Sequence, residues 1–266
     1  MNGIDRIKGA FQQAKKEGRA AMMPYMTLGF PSMDASLQVV KAIAASGVDL
    51  IELGVPFSDP LADGPTIQHS TQVALEHGVT SRRCLEMVQA LRASGVNQPL
   101  LLMGYINPIL AFGAERYVTA ASKAGADGLI IPDLPPEEAG TIETACRQQE
   151  LALVYLVPPT ASPERIQFIA ERSSGFLYLV SLTGVTGARR ELSADLEAFI
   201  QRVRQATRLP LAVGFGISTP QQVQAVGRLA DGVIVGSALV DAVGKAEQPA
   251  VAAAAFIRAL QGNTEH

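Results

Sequence analysis

Eight short apolar runs recur along the chain, and stretches with the spacing of amphipathic helices fill the intervals between them. The runs are 20–28, 48–53, 99–105, 126–131, 151–157, 175–182, 209–215 and 231–236. The helical patterns fall at 35–46, 81–94, 115–123, 137–149, 163–173, 195–207, 220–229 and 249–260, with one more at 4–16 ahead of the first run. Strands buried on both faces read as nearly continuous apolar runs, and their alternation with helices builds βαβ units around a parallel sheet. Eight such units in 266 residues predict a single domain, 1–266, folded as a (β/α)8 TIM barrel with an extra N-terminal helix acting as a lid. A doubly wound open sheet is the alternative. No G-x-G-x-x-G follows the first run, and no P-loop is present, which disfavours it. Small-residue and glycine turns at 45–47, 93–95 and 124–128 fit helix C-caps feeding the next strand. No linker or low-complexity segment divides the chain.

Composition narrows the partners. Hydrophobic residues make up 48% of the chain and charged residues 18%, which fits a large core and excludes disorder. A net charge of −3 argues against nucleic acid or an anionic membrane as the main partner. The two cysteines, Cys84 and Cys146, fall in separate helical patterns, so no disulfide framework is expected and a reduced, cytoplasmic protein is the simpler reading. The first twenty residues are amphipathic and mixed in charge, unlike a signal peptide. No apolar run is long enough to span a bilayer.

Two carboxylates stand out in the segment 51–65. Glu52 shares strand parity with Val48 and Leu50, so it sits among apolar neighbours. Desolvation there would raise its pKa and suit it to proton transfer. Asp63 lies in the Gly/Pro-rich loop that follows, where loops beyond strand ends hold barrel chemistry. An anion site is expected at the far strands. Barrels bind phosphate with the loops after strands 7 and 8 and a helix N-terminus. Strand 7 ends in Gly214-Phe215-Gly216-Ile217-Ser218 and strand 8 in Gly236-Ser237-Ala238, while the loop after strand 6 supplies Gly184, Thr186 and Gly187. Tyr25, Tyr105, Tyr178 and Phe215 fall near strand C-terminal ends and together suggest an aromatic-lined pocket.

Elimination narrows the chemistry. None of Lys8, Lys15, Lys16, Lys41, Lys123 and Lys245 ends an expected strand, which argues against a Schiff base. His69, His77 and His266 do not cluster with carboxylates as metal ligands would, and the first two read as surface or capping residues. No histidine is placed to serve a nucleophile triad. What remains is carboxylate acid–base chemistry, without metal or cofactor, on a phosphorylated small molecule.

The segment Glu52-Leu53-Gly54-Val55-Pro56-Phe57-Ser58-Asp59-Pro60-Leu61-Ala62-Asp63-Gly64-Pro65 resembles the signature of the tryptophan synthase alpha-chain family. The resemblance continues through Met103-Gly104-Tyr105-Ile106-Asn107-Pro108, Pro132-Asp133-Leu134-Pro135, Gly184-Val185-Thr186-Gly187, Gly214-Phe215-Gly216-Ile217 and Gly236-Ser237. It covers nearly the whole chain in order. The resemblance implies retro-aldol cleavage of indole-3-glycerol phosphate to indole and glyceraldehyde 3-phosphate. It implies Glu52 as general acid–base at the indole carbon and Asp63 as partner of the indole N–H. It places Tyr178 at the glycerol part, and Tyr25, Met103, Tyr105 and Phe215 around the indole. Gly187, Gly216, Gly236 and Ser237 would hold the phosphate, and Thr186 would meet Asp63 as the site closes.

The resemblance further implies an alpha–beta–beta–alpha complex, in which indole passes to a beta chain carrying pyridoxal phosphate while this chain carries no cofactor. Pro56, Asp59 and the Asn107-Pro108 loop are candidates for the beta-facing surface. Three positions depart from some members: Leu182 replaces a polar or basic residue, Tyr25 a Phe and Pro132 an Ala. A free-standing lyase that releases indole, and a non-catalytic allosteric binding subunit, remain the alternatives. Intact Glu52 and Asp63 weigh against the second.

Overall fold

The computed structural model describes residues 2–180, 194–214 and 216–262. The strand segments are β1 (Ala21–Thr27), β2 (Ile51–Gly54), β3 (Leu100–Met103), β4 (Gly128–Ile130), β5 (Ala152–Val154), β6 (Leu156–Val157), β7 (Leu177–Val180), β8 (Leu211–Gly214) and β9 (Gly232–Val235). The helices are α1 (Gly3–Lys16), α2 (Met33–Ala45), α3 (Pro65–Glu76), α4 (Ser81–Ala93), α5 (Ile106–Phe112), α6 (Ala114–Ala124), α7 (Gly140–Gln148), α8 (Pro163–Arg172), α9 (Ala194–Ala206), α10 (Pro220–Gly227), α11 (Ser237–Lys245) and α12 (Pro249–Leu260). All strand pairs are parallel, in the order β5-β4-β3-β2-β1-β9-β8-β7-β6. The terminal segments of that order, β5 and β6, are one run of chain interrupted at Tyr155. They pair with β4 on one side and β7 on the other, and Tyr178 N–H donates to the Tyr155 carbonyl at 3.1 Å. The barrel therefore closes with eight staves, as the periodicity predicts.

Strand alternation sorts the side chains into two cores. Outward residues such as Met26, Ile51, Leu53, Leu102, Leu129 and Val233 pack against the surrounding helices. Inward residues Met23, Leu50, Leu101, Ile130, Val154, Phe176, Ala212 and Ile234 form a second cluster with Ile7, Phe11 and Ala14 of α1. The helix presents positions i, i+4 and i+7, one stripe of a helical surface. Its N-terminus is capped by Asn2, whose side chain accepts from Asp5 N–H at 2.8 Å. The Phe11 ring meets Phe176 at 5.5 Å between centroids. The expected lid is thus a plug. It fills the N-terminal end of the barrel, because its apolar stripe matches the lower layer of inward residues.

Three aspartates fasten that same end. Asp49, Asp127 and Asp231 each stand just before a strand and accept a backbone N–H from the adjacent one: Met22 at 2.8 Å, Leu100 at 2.7 Å and Leu211 at 2.8 Å. Each also pairs with arginine. Arg19 holds Asp49 at 2.6 Å, Arg204 holds Asp231, and Arg92 and Arg6 hold Asp127, the latter at 3.0 Å.

The helical bounds otherwise fall within a few residues of expectation, with three helices more than the periodicity suggested. α3, α5 and α11 each start directly behind a loop of the C-terminal face. The Asn107-Pro108 segment, read as a loop, lies in the first turn of α5. Proline is tolerated there because the first four N–H groups of a helix have no intrahelical acceptor.

Candidate active site

A cavity of about 300 Å³ opens at the C-terminal end of the barrel. Glu52 projects into it from β2, in register with Tyr25 of β1 and Leu101 of β3. Its side chain is fully buried, and neither carboxylate oxygen has a hydrogen-bond partner among the described residues. Burial without compensation disfavours the charged form, and it pushes the Glu52 carboxyl up to about 8.

Asp63 approaches from the loop between β2 and α3. It is half-buried, and its Oδ2 accepts from the Tyr105 hydroxyl at 3.0 Å. Tyr105 in turn accepts from Ala62 N–H at 2.9 Å, and Gln68 donates to the Asp63 carbonyl at 2.9 Å. Burial raises the Asp63 carboxyl, and the Tyr105 hydrogen bond opposes that shift. Tyr105 therefore stands behind Asp63 and holds it; it does not appear on the cavity wall.

Two tyrosines cross the barrel mouth. A β-carbon on Gly54 would collide with the Tyr25 hydroxyl, and one on Gly214 with that of Tyr178. Glycine in these two strands is the space in which the phenols lie. Met103, Leu156 and Ile234 complete the apolar wall, beside Pro132.

A further part of the cavity wall, next to these tyrosines, is suited to an anion. Gly214, Gly216, Gly236 and Ser237 line it. Gly236 is the N-cap of α11 and offers no side-chain cap; Leu239 N–H turns back to the Gly236 carbonyl, and the Ser237 and Ala238 amides have no acceptor among the described residues. The neighbouring α10 differs: Thr219 and Gln222 form a reciprocal capping box that occupies its N-terminal donors. Among the described residues no group of three or more His, Cys, Asp or Glu is placed to hold a metal ion.

The model of the family described as tryptophan synthase alpha chain matches residues 11–266. A tryptophan synthase alpha chain of Chloroflexus aggregans is 52% identical over 98% of this chain and 99% of its own length. One from a Roseiflexus species is 51% identical over 97% of this chain and 100% of its own. A crystal structure of tryptophan synthase subunit alpha from Legionella pneumophila superposes with a TM-score of 0.90 at 37% identity, covering 99% of this chain and 98% of that one. The chain belongs to the tryptophan synthase alpha-chain family.

The structure gathers Tyr25, Glu52, Asp63, Met103, Tyr178, Gly216, Gly236 and Ser237 around one cavity. Thr186, Gly187 and Phe215, with Gly184 and Leu182, lie outside the described residues. Of the surface candidates that the family resemblance suggested, Asp59 and Asn107 are exposed and Pro56 is buried. His77 caps the C-terminus of α3, and His69 is exposed beside Phe30, 6.3 Å between ring centroids. Sequence reading did not single out Leu156, Ile234 and Gly64 as lining residues. Inward strand parity would have found the first two. Thr27 and Ser70, fully buried next to the cavity, also went unnoticed.

Proposed function

We propose that this alpha-chain family member cleaves indole-3-glycerol phosphate to indole and glyceraldehyde 3-phosphate, a carbon–carbon lyase step run by two carboxylates without a metal. The observation that carries this reading is Glu52: a fully buried carboxyl with no hydrogen-bond partner among the described residues, facing a cavity and holding its proton to about pH 8. In the proposed step, neutral Glu52 donates its proton to indole C3. Positive charge develops at the ring nitrogen, where the Asp63 carboxylate accepts the N–H and stabilises that charge. Glu52, now ionised, takes the proton from the hydroxyl on the carbon attached to C3. The C3–C bond breaks, its electrons restore the aromatic ring, and the hydroxyl carbon leaves as an aldehyde. Glu52 ends protonated, so protons balance over the cycle.

Phosphate is assigned to Gly216, Gly236 and Ser237 at the open N-terminus of α11, with Gly187 contributing from outside the described residues. The indole is assigned to the wall formed by Tyr25 and Met103, with Phe215, outside the described residues, as a further proposed contact. Tyr178 lies beside the glycerol carbons, and Thr186 is the proposed contact of Asp63 in the closed site. Tyr105 keeps a role one layer back, as the donor that fixes Asp63.

Membership of the family implies a beta-chain partner. The proposal is an alpha–beta–beta–alpha assembly in which pyridoxal phosphate belongs to the beta chain. The partner-facing surface is assigned to Asp59 and Asn107 with Leu61 and Leu110, which are 92% and 57% exposed. Ala62 ties the Leu61 loop to Tyr105, the residue before α5, so the two exposed leucines stand on coupled segments. Two buried, unbridged cysteines suit the reducing cytoplasm. The test is steady-state indole release while a beta chain is titrated. Turnover that rises with the beta chain supports the reading. A silent wild-type complex overturns it, and full turnover by the lone chain overturns the partner dependence.

A further inference from the structure

A chain of hydroxyls runs from the cavity wall into the protein. The Tyr25 hydroxyl lies 3.2 Å from Thr27 Oγ1, Thr27 Oγ1 lies 2.7 Å from Ser70 Oγ, and Ser70 Oγ lies 2.8 Å from the carbonyl oxygen of Ile67. Thr27 and Ser70 are fully buried, so water does not intervene. Each hydroxyl carries one proton, and the carbonyl can only accept. Two oxygens at these separations without a proton between them repel. The Ser70 proton is therefore committed to Ile67, the Thr27 proton to Ser70, and the Tyr25 proton to Thr27. The phenol proton points away from the cavity, and the lone pairs of the phenol oxygen are left to face it.

The phenol stays protonated, so the hydrogen-bond chain sets where its proton points. Burial, then the carboxylates of Asp63 and Glu52, push the Tyr25 phenol upward, so it keeps its proton throughout the working range. The barrel-mouth side of the cavity thus offers acceptors, at Tyr25 and Asp63, while the α11 side offers amide donors.

Resting on the lyase reading above, we infer that Tyr25 is a hydrogen-bond acceptor for an N–H or hydroxyl of the substrate, and that Thr27 and Ser70 are positioning residues that hold it in that role. Both ends of the ligand are then selected by complementary polarity: a donor-bearing ring or hydroxyl at β1 and β2, and an anion at α11.

The test is a double-mutant cycle in the steady-state cleavage of indole-3-glycerol phosphate by the chain assembled with a beta chain. Thr27→Val removes the hydroxyl at nearly constant shape and frees the Tyr25 proton to turn toward the cavity. It lowers kcat/KM by about 3- to 10-fold, the range of one net hydrogen bond, through KM and not kcat. Thr27→Ser restores the wild-type value. In a Tyr25→Phe background, Thr27→Val has no further effect; effects that add independently overturn the inference. Should Thr27→Val fail to fold, Ser70→Ala opens the same chain at its other end and completes the same cycle. A neutron structure of the deuterated protein gives a readout free of activity. Density for the phenol deuteron toward Thr27 supports the relay, and density toward the cavity overturns it. Wild-type enzyme that releases no indole would refute the lyase reading and leave the relay to the neutron map.

Discussion

At the N-terminal end of the barrel, Asp49, Asp127 and Asp231 each accept a backbone N–H and pair with at least one arginine. At the C-terminal end, Glu52 is fully buried and accepts nothing from the described residues, whereas the lower side chains range from nearly buried at Asp127 and Asp49 to 30% exposed at Asp231. An ionised carboxylate away from water costs several kcal/mol unless charge and hydrogen bonds compensate it. The lower acids meet that cost with partners, and their geometry ties neighbouring strands together. Glu52 avoids it by holding a proton, at a cost of about 1.4 kcal/mol for each pH unit by which the ambient pH exceeds the ordinary value of 4.5, up to about 8. The lower acids serve the scaffold, and under the proposed function the upper one is the acid that does the chemistry. Leu50 and Glu52 make the same contrast two residues apart on one strand face: one is sealed by α1, and the other opens on the cavity.

The contrast can be broken first at Glu52. Glu52→Gln is expected to lower lyase turnover by about 10³-fold, the range of a lost general acid–base, while circular dichroism shows the fold intact. The converse change is Asp127→Ala. It is expected to cost about 3 kcal/mol in urea denaturation, because Arg92 and the Leu100 N–H lose their acceptor, while kcat of the folded fraction stays at the wild-type value. A large kcat loss there would erase the division between the two ends. Asp63→Asn is expected to lower kcat about 10²-fold with substrate still bound, measured as turnover against calorimetric affinity. Tyr105→Phe, which only loosens Asp63, is expected to cost about 5-fold.

Stability should carry the same signature through pH. The folded-state pKa of Glu52 is raised, from 4.5 to about 8, so its contribution is most favourable below 4.5 and is lost as pH rises through 8. Glu52→Gln lacks this loss. Its stability relative to wild type should climb between those pH values and level off above them, in paired denaturation curves. A difference that stays flat would mean the carboxyl is compensated by a partner.

Much of this contrast was legible in the sequence, and the reasons are local. Eight apolar runs gave the staves, because strands covered on both faces have no polar side to show. Glu52 stood out because it breaks that rule at inward parity with Leu50. The lower clamps were harder to see. Asp49, Asp127 and Asp231 follow small or glycine-bearing turns that look like ordinary loop chemistry, and their arginine partners lie 27–35 residues away or on α1. The helix α1 showed its apolar stripe but not which barrel end it would fill. The helices α3, α5 and α11 hid behind glycine and proline that read as loop, although Pro65 and Pro108 sit in first turns where proline is accepted. The Tyr25–Thr27–Ser70 chain joins a strand to a helix 43 residues on, a distance that hydroxyl residues do not advertise.

The most direct test of this division is a carbon-13 NMR titration of the Glu52 carboxyl in glutamate-labelled protein, assigned by its loss in Glu52→Gln. A midpoint near 8 is predicted. A midpoint in the ordinary range near 4.5 would place a hidden donor or water beside Glu52 and contradict its role as the proton-holding acid of the site.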